Sequence, residues 1–208
     1  MMNPRASAPL PVRGVVFDMD GTLVTSELDF ARIRAEAAVP DGVPILEYME
    51  RLDEAGRRRV GRVLEEHEEL AARRCELLPG AAELLAELRA RGVKLALLTR
   101  NSERSMQMVL ERFGLSFDCC LAREHAEPKP SPDAIFKIAG LLGLRAGDLL
   151  VVGDYIFDVQ AGQNAGARTA LLYTGRDYAL EPPADFVLGG LLDVLNHVPV
   201  GPAVEAGG

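Results

Sequence analysis

Five short segments of apolar side chains are spread along the chain, and polar residues follow most of them. The segments span residues 12–17, 93–98, 117–121, 149–152 and 169–173. Short, continuous apolar runs of this kind are typical of strands that are buried on both faces of a parallel sheet. The pattern therefore predicts five buried strands.

Amphipathic stretches separate these strands and are predicted to be helices. They span residues 81–91, 102–113, 132–142 and 158–165. Glycine follows the first three of them, where it can adopt the left-handed conformation that commonly ends a helix. Repeated strand–helix units indicate a doubly wound α/β fold with a mostly parallel sheet and right-handed crossovers.

One stretch interrupts the alternation. Residues 26–78 contain no strand pattern, and their apolar spacing predicts two helices, at 27–38 and 44–75. We therefore expect a helical insert after the first strand. The predicted organisation is a flexible leader, a two-part α/β core, the insert and a flexible tail, at residues 1–11, 12–25 with 79–198, 26–78 and 199–208.

Composition and charge restrict the possible partners. Apolar residues make up 48% of the chain and charged residues 26%, as in ordinary globular proteins. The net charge of −8, with no basic run longer than the three arginines at 57–59, argues against nucleic-acid binding. No apolar run reaches the ~18–20 residues that span a membrane, and residues 1–11 lack the apolar core of a secretory signal.

The cysteines suggest a cellular location. Cys75, Cys119 and Cys120 are an odd number, and two of them are adjacent, so they do not form a disulfide framework. Such cysteines are typical of proteins in a reducing compartment. We expect a cytoplasmic protein with neither a membrane nor a nucleic acid as partner, and the sequence does not indicate an oligomeric state.

Candidate chemistry lies directly after three predicted strands and before the third of these helices. These side chains are Asp18, Asp20, Thr99, Arg100, Asn101, Lys129, Asp154 and Asp158. In open α/β sheets, ligands bind at the carboxyl ends of the strands, so we expect these residues to meet there. Four carboxylates at one edge stay ionised together only around a cation, and oxygen ligands favour Mg²⁺. The chain contains no Walker A, GxGxxG or HExxH motif.

The Asp-x-Asp-Gly segment, residues 18–21, has a chemical logic of its own. One carboxylate can attack a phosphoryl group, and the other can protonate the leaving oxygen and later deprotonate water. Gly21 permits the tight turn that brings the second carboxylate in. Mg²⁺, Lys129, the Thr99 hydroxyl and backbone N–H groups could neutralise the charge of the transferring group.

These residues resemble the motifs of the haloacid dehalogenase superfamily, phosphatase branch. The resemblance is carried by residues 15–23, 97–101, 129–132 and 152–158. It implies a Rossmann-like core with a small all-helical cap inserted after the first strand. It also implies that Asp18 is the nucleophile and a Mg²⁺ ligand, and that Asp20 is the general acid/base, with its backbone carbonyl on the metal. Dehalogenases of the superfamily lack an aspartate at the position of Asp20.

The resemblance implies roles for the remaining polar residues as well. Asp154 would complete the metal ligands, and Asp158 would hold metal-bound water or orient Lys129. Thr99 and Lys129 would bind the phosphoryl oxygens. The family pattern often has asparagine directly after the motif threonine.

Several positions differ from the family pattern. Arg100 stands where asparagine often follows the threonine, and Asn101 comes one position later, so either could contact phosphate. Tyr155 replaces a customary serine or threonine. Arg32 and Arg34 lie on the first predicted cap helix, which the resemblance places near the active-site mouth, where an arginine could hold a second anionic group of the substrate.

The function these observations predict is a Mg²⁺-dependent phosphatase acting on a small phosphorylated metabolite through an aspartyl-phosphate. Phosphoglycolate-, sugar-phosphate- and nucleotide-type substrates all fit. One alternative is a phosphomutase of the β-phosphoglucomutase type, which would protect the same intermediate from water. The other is a non-catalytic regulator that binds a phosphorylated ligand.

Overall fold

Six parallel strands form one sheet in the order β3-β2-β1-β4-β5-β6. They are β1 Gly14–Phe17, β2 Lys94–Leu98, β3 Cys119–Leu121, β4 Leu149–Gly153, β5 Arg168–Leu172 and β6 Phe186–Leu188. The computed structural model describes residues 12–175 and 178–198, so the predicted leader (1–11) and tail (199–208) lie outside the described residues. The predicted doubly wound α/β fold is confirmed, with every strand pair parallel.

Seven α-helices accompany the sheet in the described residues. They are α1 Phe30–Ala37, α2 Ile45–Glu50, α3 Glu54–Arg74, α4 Ala81–Ala90, α5 Glu103–Phe113, α6 Asp133–Leu142 and α7 Ile156–Ala165. Glycines with positive φ follow α5, α6 and α7, as the sequence pattern predicts for the first two of these.

One prediction about the elements is wrong, and one strand was not predicted. Residues 44–75 do not form one helix, because Asp53 begins a new one: its carboxylate accepts the N–H of Gly56 at 2.8 Å. Strand β6 has only three residues and shows no long apolar run, so the pattern did not reveal it.

The sheet separates two apolar clusters. Val15 and Phe17 of β1 face one cluster, which includes the buried leucines of α4 and the buried Met106 of α5. Val16, between them, faces the other cluster, with Ile135 and Ile138 of α6. Because successive side chains of a strand point to opposite faces, β1 is covered on both sides. Its carboxyl end is therefore held rigidly at the centre of the sheet.

Helices α1–α3, which we call the helical module, have an apolar cluster of their own. Ile33, Ile45, Val60 and Leu64 form its centre and are buried. The segment before α1 and the segment after α3 lie side by side. The backbone N–H of Thr25 in the first donates to the carbonyl of Glu76 in the second at 2.8 Å. This organisation agrees with a helical insert, and the boundaries at residues 26 and 78 stay a prediction.

The site lies where the strand order reverses. β1 pairs with β2 on one side and β4 on the other, and Phe17 is in register with Leu97 and Val152. Residues that follow these three strands therefore leave the sheet at the same level and at the same edge. This is the crevice in which open α/β sheets bind their ligands.

Candidate active site

A buried lysine lies between two aspartates at this edge. Lys129 Nζ is 2.5 Å from Asp18 Oδ1 and 2.5 Å from Asp158 Oδ1, and it also donates to the carbonyl of Leu98 at 3.2 Å. The lysine is only 4% exposed. One cation thus joins residues that follow β1 and β4, as expected for side chains at the switch point.

Asp154 extends this group to three carboxylates. Asp18, Asp154 and Asp158 each offer an oxygen, and these oxygens lie within 4.8 Å of one another. When Asp18 and Asp158 are both ionised, the single charge of Lys129, which pairs with both, leaves a surplus of negative charge on them. A divalent cation would neutralise that surplus, and carboxylate oxygens are the ligands that hard divalent cations prefer. The residues therefore fit the predicted metal, with Asp18 and Asp154 as its expected holders.

The glycine after the Asp-x-Asp pair lets the backbone approach Asp154. Gly21 has a φ of +80°, and a Cβ at this position would lie 2.4 Å from Asp154 Oδ2. No side chain fits in that space. Gly21 therefore permits both the turn and the close packing of the loop after β1 against the loop after β4.

Burial and neighbouring charges shift the pKa values of Asp18 and Lys129. Burial raises the pKa of Asp18 well above its ordinary value; the Lys129 charge opposes this, and the charges of Asp158 and Asp154 add to it. Burial lowers the pKa of Lys129, but Asp158 and Asp18 outweigh that effect and raise it overall. Lys129 is therefore a stable cation, and Asp18 depends on positive charge to stay ionised.

Asp20 has a different environment from Asp18. The Asn101 side chain donates from Nδ2 to Asp20 Oδ2 at 2.7 Å. Burial, and next the negative charge of Glu68, raise the pKa of Asp20 to about 7. A carboxyl group with this pKa is partly protonated near neutral pH and can donate a proton, as a general acid must.

Thr99 shapes the loop after β2. It is 4% exposed, and its hydroxyl oxygen accepts the N–H of Asn101 at 3.1 Å. The hydroxyl hydrogen remains available to an oxygen placed next to it. Binding of phosphate by Thr99 stays a prediction, as it does for Asn101, whose side chain contacts Asp20.

Arg100 joins the core to the helical module. Its Nη2 donates to both carboxylate oxygens of Glu47 in α2, at 2.8 and 2.9 Å, and its Nη1 donates to the carbonyl of Lys129. The guanidinium also lies 4.9 Å from the centre of the Phe157 ring. Its partners here are protein groups, so its contact with phosphate stays a prediction.

Arg32 and Arg34 lie on α1, and in the described part of the chain they form no ion pair with Asp18 or Asp158. Arg32 pairs with Glu36 at 2.7 Å on the same helix and is largely exposed. Arg34 is half-buried. Their role in substrate binding stays a prediction.

Tyr155 contacts the site through its backbone. Its N–H donates to Asp158 Oδ2 at 3.1 Å and caps α7. Its ring is 41% exposed and packs edge-to-face against Phe157 and Tyr178. The larger side chain is thus accommodated by aromatic neighbours.

Sequence reasoning missed Glu47 and Glu68, acidic residues of the helical module that contact the loop after β2. Glu47 stands in no motif, and no local pattern connects it to Arg100. Glu68 carried a signal: Val60, Leu64 and Glu68 are spaced four residues apart, so the acid lies in line with the buried stripe of α3. A charged residue on an apolar stripe indicates a buried partner.

The fold is that of an α/β enzyme, and three carboxylates that could hold a divalent cation lie at the carboxyl edge of its sheet. The family model of haloacid dehalogenase-like hydrolases matches residues 12–166. The chain is 34% identical over 206 residues to a haloacid dehalogenase-like hydrolase domain-containing protein of Arabidopsis thaliana, covering 92% of this chain and 82% of that protein. The chain therefore belongs to the haloacid dehalogenase-like hydrolase family.

Two further proteins support this assignment. A phosphoglycolate phosphatase of Aquifex aeolicus is 30% identical, covering 90% of this chain and 99% of that protein. A hydrolase of Pseudomonas syringae has a crystal structure that superposes with a TM-score of 0.75 at 26% identity, covering 90% and 97% of the two chains. The predicted superfamily and its Rossmann-like fold are confirmed, and the predicted enzyme class, a phosphoric monoester hydrolase, agrees with these relatives. In the described residues, no helix combines the length and the apolar character that crossing a membrane requires.

Proposed function

We propose that this protein is a Mg²⁺-dependent phosphatase that hydrolyses a small phosphorylated metabolite through an aspartyl-phosphate on Asp18. The observation that carries the proposal is the placement of Lys129 between Asp18 and Asp158, with Asp154 beside them. Asp18 and Asp154, with the backbone carbonyl of Asp20, would hold the cation. When bound, Mg²⁺ would supply positive charge against the phosphoryl oxygens.

The first half-reaction transfers the phosphoryl group to Asp18. A carboxylate oxygen of Asp18 forms a bond to phosphorus as the bond to the ester oxygen breaks. Asp20 gives its proton to that oxygen, so the leaving group departs as a neutral alcohol. The raised pKa of Asp20, about 7, favours the protonated form that this step needs.

The second half-reaction regenerates the enzyme. Asp20, now a carboxylate, accepts a proton from water, and the water oxygen attacks phosphorus. The bond between phosphorus and the Asp18 oxygen breaks, which releases inorganic phosphate. The same residue acts first as acid and then as base, so each turnover returns Asp20 to its protonated state.

Lys129 and Thr99 hold the anionic group in both steps. The Lys129 ammonium opposes the effect of burial on the pKa of Asp18 and lies close enough to bind a phosphoryl oxygen on the same carboxylate. The Thr99 hydroxyl would donate to a second phosphoryl oxygen. Helices α1–α3 would cover the bound ester and limit the access of bulk water.

Support for a small substrate comes from the relatives, one of which is named phosphoglycolate phosphatase. Phosphoglycolate, sugar phosphates and nucleotide monophosphates are the substrates that we propose to test. All three cysteines are free, which supports the reducing cytoplasm that we propose as the protein's location.

The test is phosphate release from a panel of these esters with Mg²⁺, with EDTA, and with EDTA followed by excess Mg²⁺. We expect turnover that EDTA abolishes and Mg²⁺ restores. Asp18→Asn should lose nearly all turnover, because an amide cannot act as the nucleophile. Asp41→Asn is the matched control, since Asp41 is exposed in the loop before α2.

Several outcomes would contradict the proposal. Turnover of Asp18→Asn near that of the wild-type protein would remove Asp18 as nucleophile. A rearranged phosphosugar without net phosphate release would indicate a phosphomutase. Binding of phosphorylated ligands without turnover of any ester would indicate a regulator.

A further inference from the structure

A buried carboxylate of the helical module contacts the loop that carries Asn101. Glu68 lies in the C-terminal half of α3 and is 1% exposed. Its Oε2 accepts the backbone N–H of Ser102 at 3.0 Å, and its Oε1 accepts a hydrogen bond from the Arg123 guanidinium. We propose that Glu68 is a positioning residue for Asp20, acting through Asn101. This inference rests on the proposed function, in which Asp20 is the general acid/base.

Glu68 holds the backbone of Asn101 from both sides. Ser102 directly follows Asn101, and its N–H is bonded to Glu68. The carbonyl of Asn101 accepts the N–H of Arg123 at 3.1 Å, and the side chain of the same arginine pairs with Glu68. The Glu68 carboxylate therefore contacts Ser102 directly and the carbonyl of Asn101 through Arg123.

Asn101 in turn holds the side chain of Asp20 by a hydrogen bond. Its side chain is buried, and its Nδ2 lies 2.7 Å from Asp20 Oδ2. A hydrogen bond of this length requires the amide and the carboxyl group to be aligned within a narrow range. A shift of the loop that carries Asn101 would therefore alter the orientation of Asp20.

Stability alone does not account for a charge at this position. A buried ion pair loses much of its attraction to the cost of removing both ions from water, and apolar replacements are often as stable. Residues Val60 and Leu64 on the same stripe of α3 are apolar and pack within the module. The acid differs from them because it contacts the catalytic core.

The test compares two esters of similar shape, phenyl phosphate and p-nitrophenyl phosphate. Phenolate is a more basic leaving group than p-nitrophenolate, because the nitro group delocalises the negative charge of p-nitrophenolate. Hydrolysis of phenyl phosphate therefore depends more strongly on proton donation to the leaving oxygen. We measure kcat/KM, which includes leaving-group departure. Glu68→Ala should lower kcat/KM for phenyl phosphate by about tenfold more than for p-nitrophenyl phosphate.

Three further variants complete the series. Asp20→Asn should show the same leaving-group dependence to a greater degree. Glu68→Gln should be intermediate, because it keeps the side-chain length and an acceptor for the N–H of Ser102. Glu66→Ala, an exposed residue of the same helix, should leave the ratio of the two kcat/KM values unchanged.

A double-mutant cycle tests the route through Asn101. Asn101→Ala should reproduce the leaving-group dependence of Glu68→Ala, and Glu68→Ala should add little once Asn101 has been replaced. Additive effects in this cycle would overturn the route. Equal losses for both esters in Glu68→Gln, a variant chosen to keep the fold, would reduce Glu68 to a structural role.

The failure of this inference is distinguishable from the failure of the proposed function. If the wild-type protein and Asp20→Asn behave as expected and Glu68→Ala keeps the wild-type ratio, only the positioning role is wrong. If the wild-type protein releases phosphate from neither ester and from no member of the metabolite panel, the proposed function and this inference fail together.

Discussion

Arg100 and Glu47 stand 53 positions apart in the chain and form an ion pair in which Arg100 Nη2 lies 2.8 and 2.9 Å from the two carboxylate oxygens. The pair joins helix α2 to the loop after β2, and the guanidinium also holds the carbonyl of Lys129. Because Lys129 pairs with Asp18 and Asp158, this contact connects the position of the helical module to that of the catalytic group.

The first prediction concerns this contact. Arg100→Met and Glu47→Gln should each raise KM by a similar factor, about twofold to fivefold, with kcat changed less. A partly exposed ion pair of this kind contributes at most about 1 kcal/mol, so the expected effect is modest. Steady-state kinetics on the preferred ester measures it.

The double variant decides between two roles of Arg100. If the arginine acts through Glu47, the double variant is no worse than either single one. A large fall in kcat in Arg100→Met that Glu47→Gln lacks would instead assign Arg100 to phosphate binding.

The second prediction concerns the charge balance around Lys129. Lys129→Met should lower turnover at least about a hundredfold, because a charged donor to the transferring group is lost. Mg²⁺ should raise the melting temperature of the variant more than that of the wild-type protein, since Asp18 and Asp158 then lack the ammonium group that pairs with both of them. Thermal melts with EDTA and with Mg²⁺ measure this difference.

Lys137→Met is the matched control, because Lys137 is an exposed lysine that pairs with Asp133 on α6. It should leave both turnover and the Mg²⁺-induced shift unchanged. An equal shift in Lys129→Met and the wild-type protein would contradict the charge balance proposed for this site.

The third prediction is a pH dependence of stability in EDTA. Burial raises the pKa of Asp20 to about 7, so the folded state binds this proton more tightly than the unfolded state. This group therefore lowers the free energy of unfolding as the pH rises from about 4 to about 7. Asp20→Asn removes the ionisation, so it should be more stable than the wild-type protein at pH 8.

At pH 4 this stabilisation by Asp20→Asn should be absent, because Asp20 is then protonated and resembles asparagine. Thermal melts at the two pH values, in EDTA, provide the comparison. A constant difference between the variant and the wild-type protein at both pH values would show that Asp20 does not titrate in this range.

The fourth prediction concerns Gly21. Gly21→Ala should destabilise the fold and abolish turnover, because the new Cβ would lie 2.4 Å from Asp154 Oδ2. Gly92→Ala is the matched control: Gly92 has a φ of +73° and no atom within 4 Å of the added Cβ. Gly92→Ala should lower the free energy of unfolding by only about 1–2 kcal/mol, which is the cost of placing alanine in the left-handed conformation.

Chemical denaturation of the two variants separates backbone strain from the collision. Equal losses of unfolding free energy, with turnover retained in Gly21→Ala, would contradict the close packing of the two loops.

The elements that position the site could be predicted because their signals are local. Apolar runs identified β1, β2 and β4, and each is followed by its polar residues within a few positions. The break between α2 and α3 was missed because it depends on a single capping residue, Asp53, within a continuous amphipathic pattern. Strand β6 was missed because three residues do not establish a periodicity.

The sequence by itself determined the alternating α/β architecture and the set of candidate catalytic residues, because burial patterns and motif spacing are written along the chain. Only the tertiary structure decided that Lys129 joins Asp18 to Asp158, that Arg100 pairs with Glu47, and that Glu68 is buried against the loop of Asn101. These contacts join residues 29 or more positions apart, which packing alone brings together. The strength of each depends on burial, since a charge loses the screening of water only when the fold covers it.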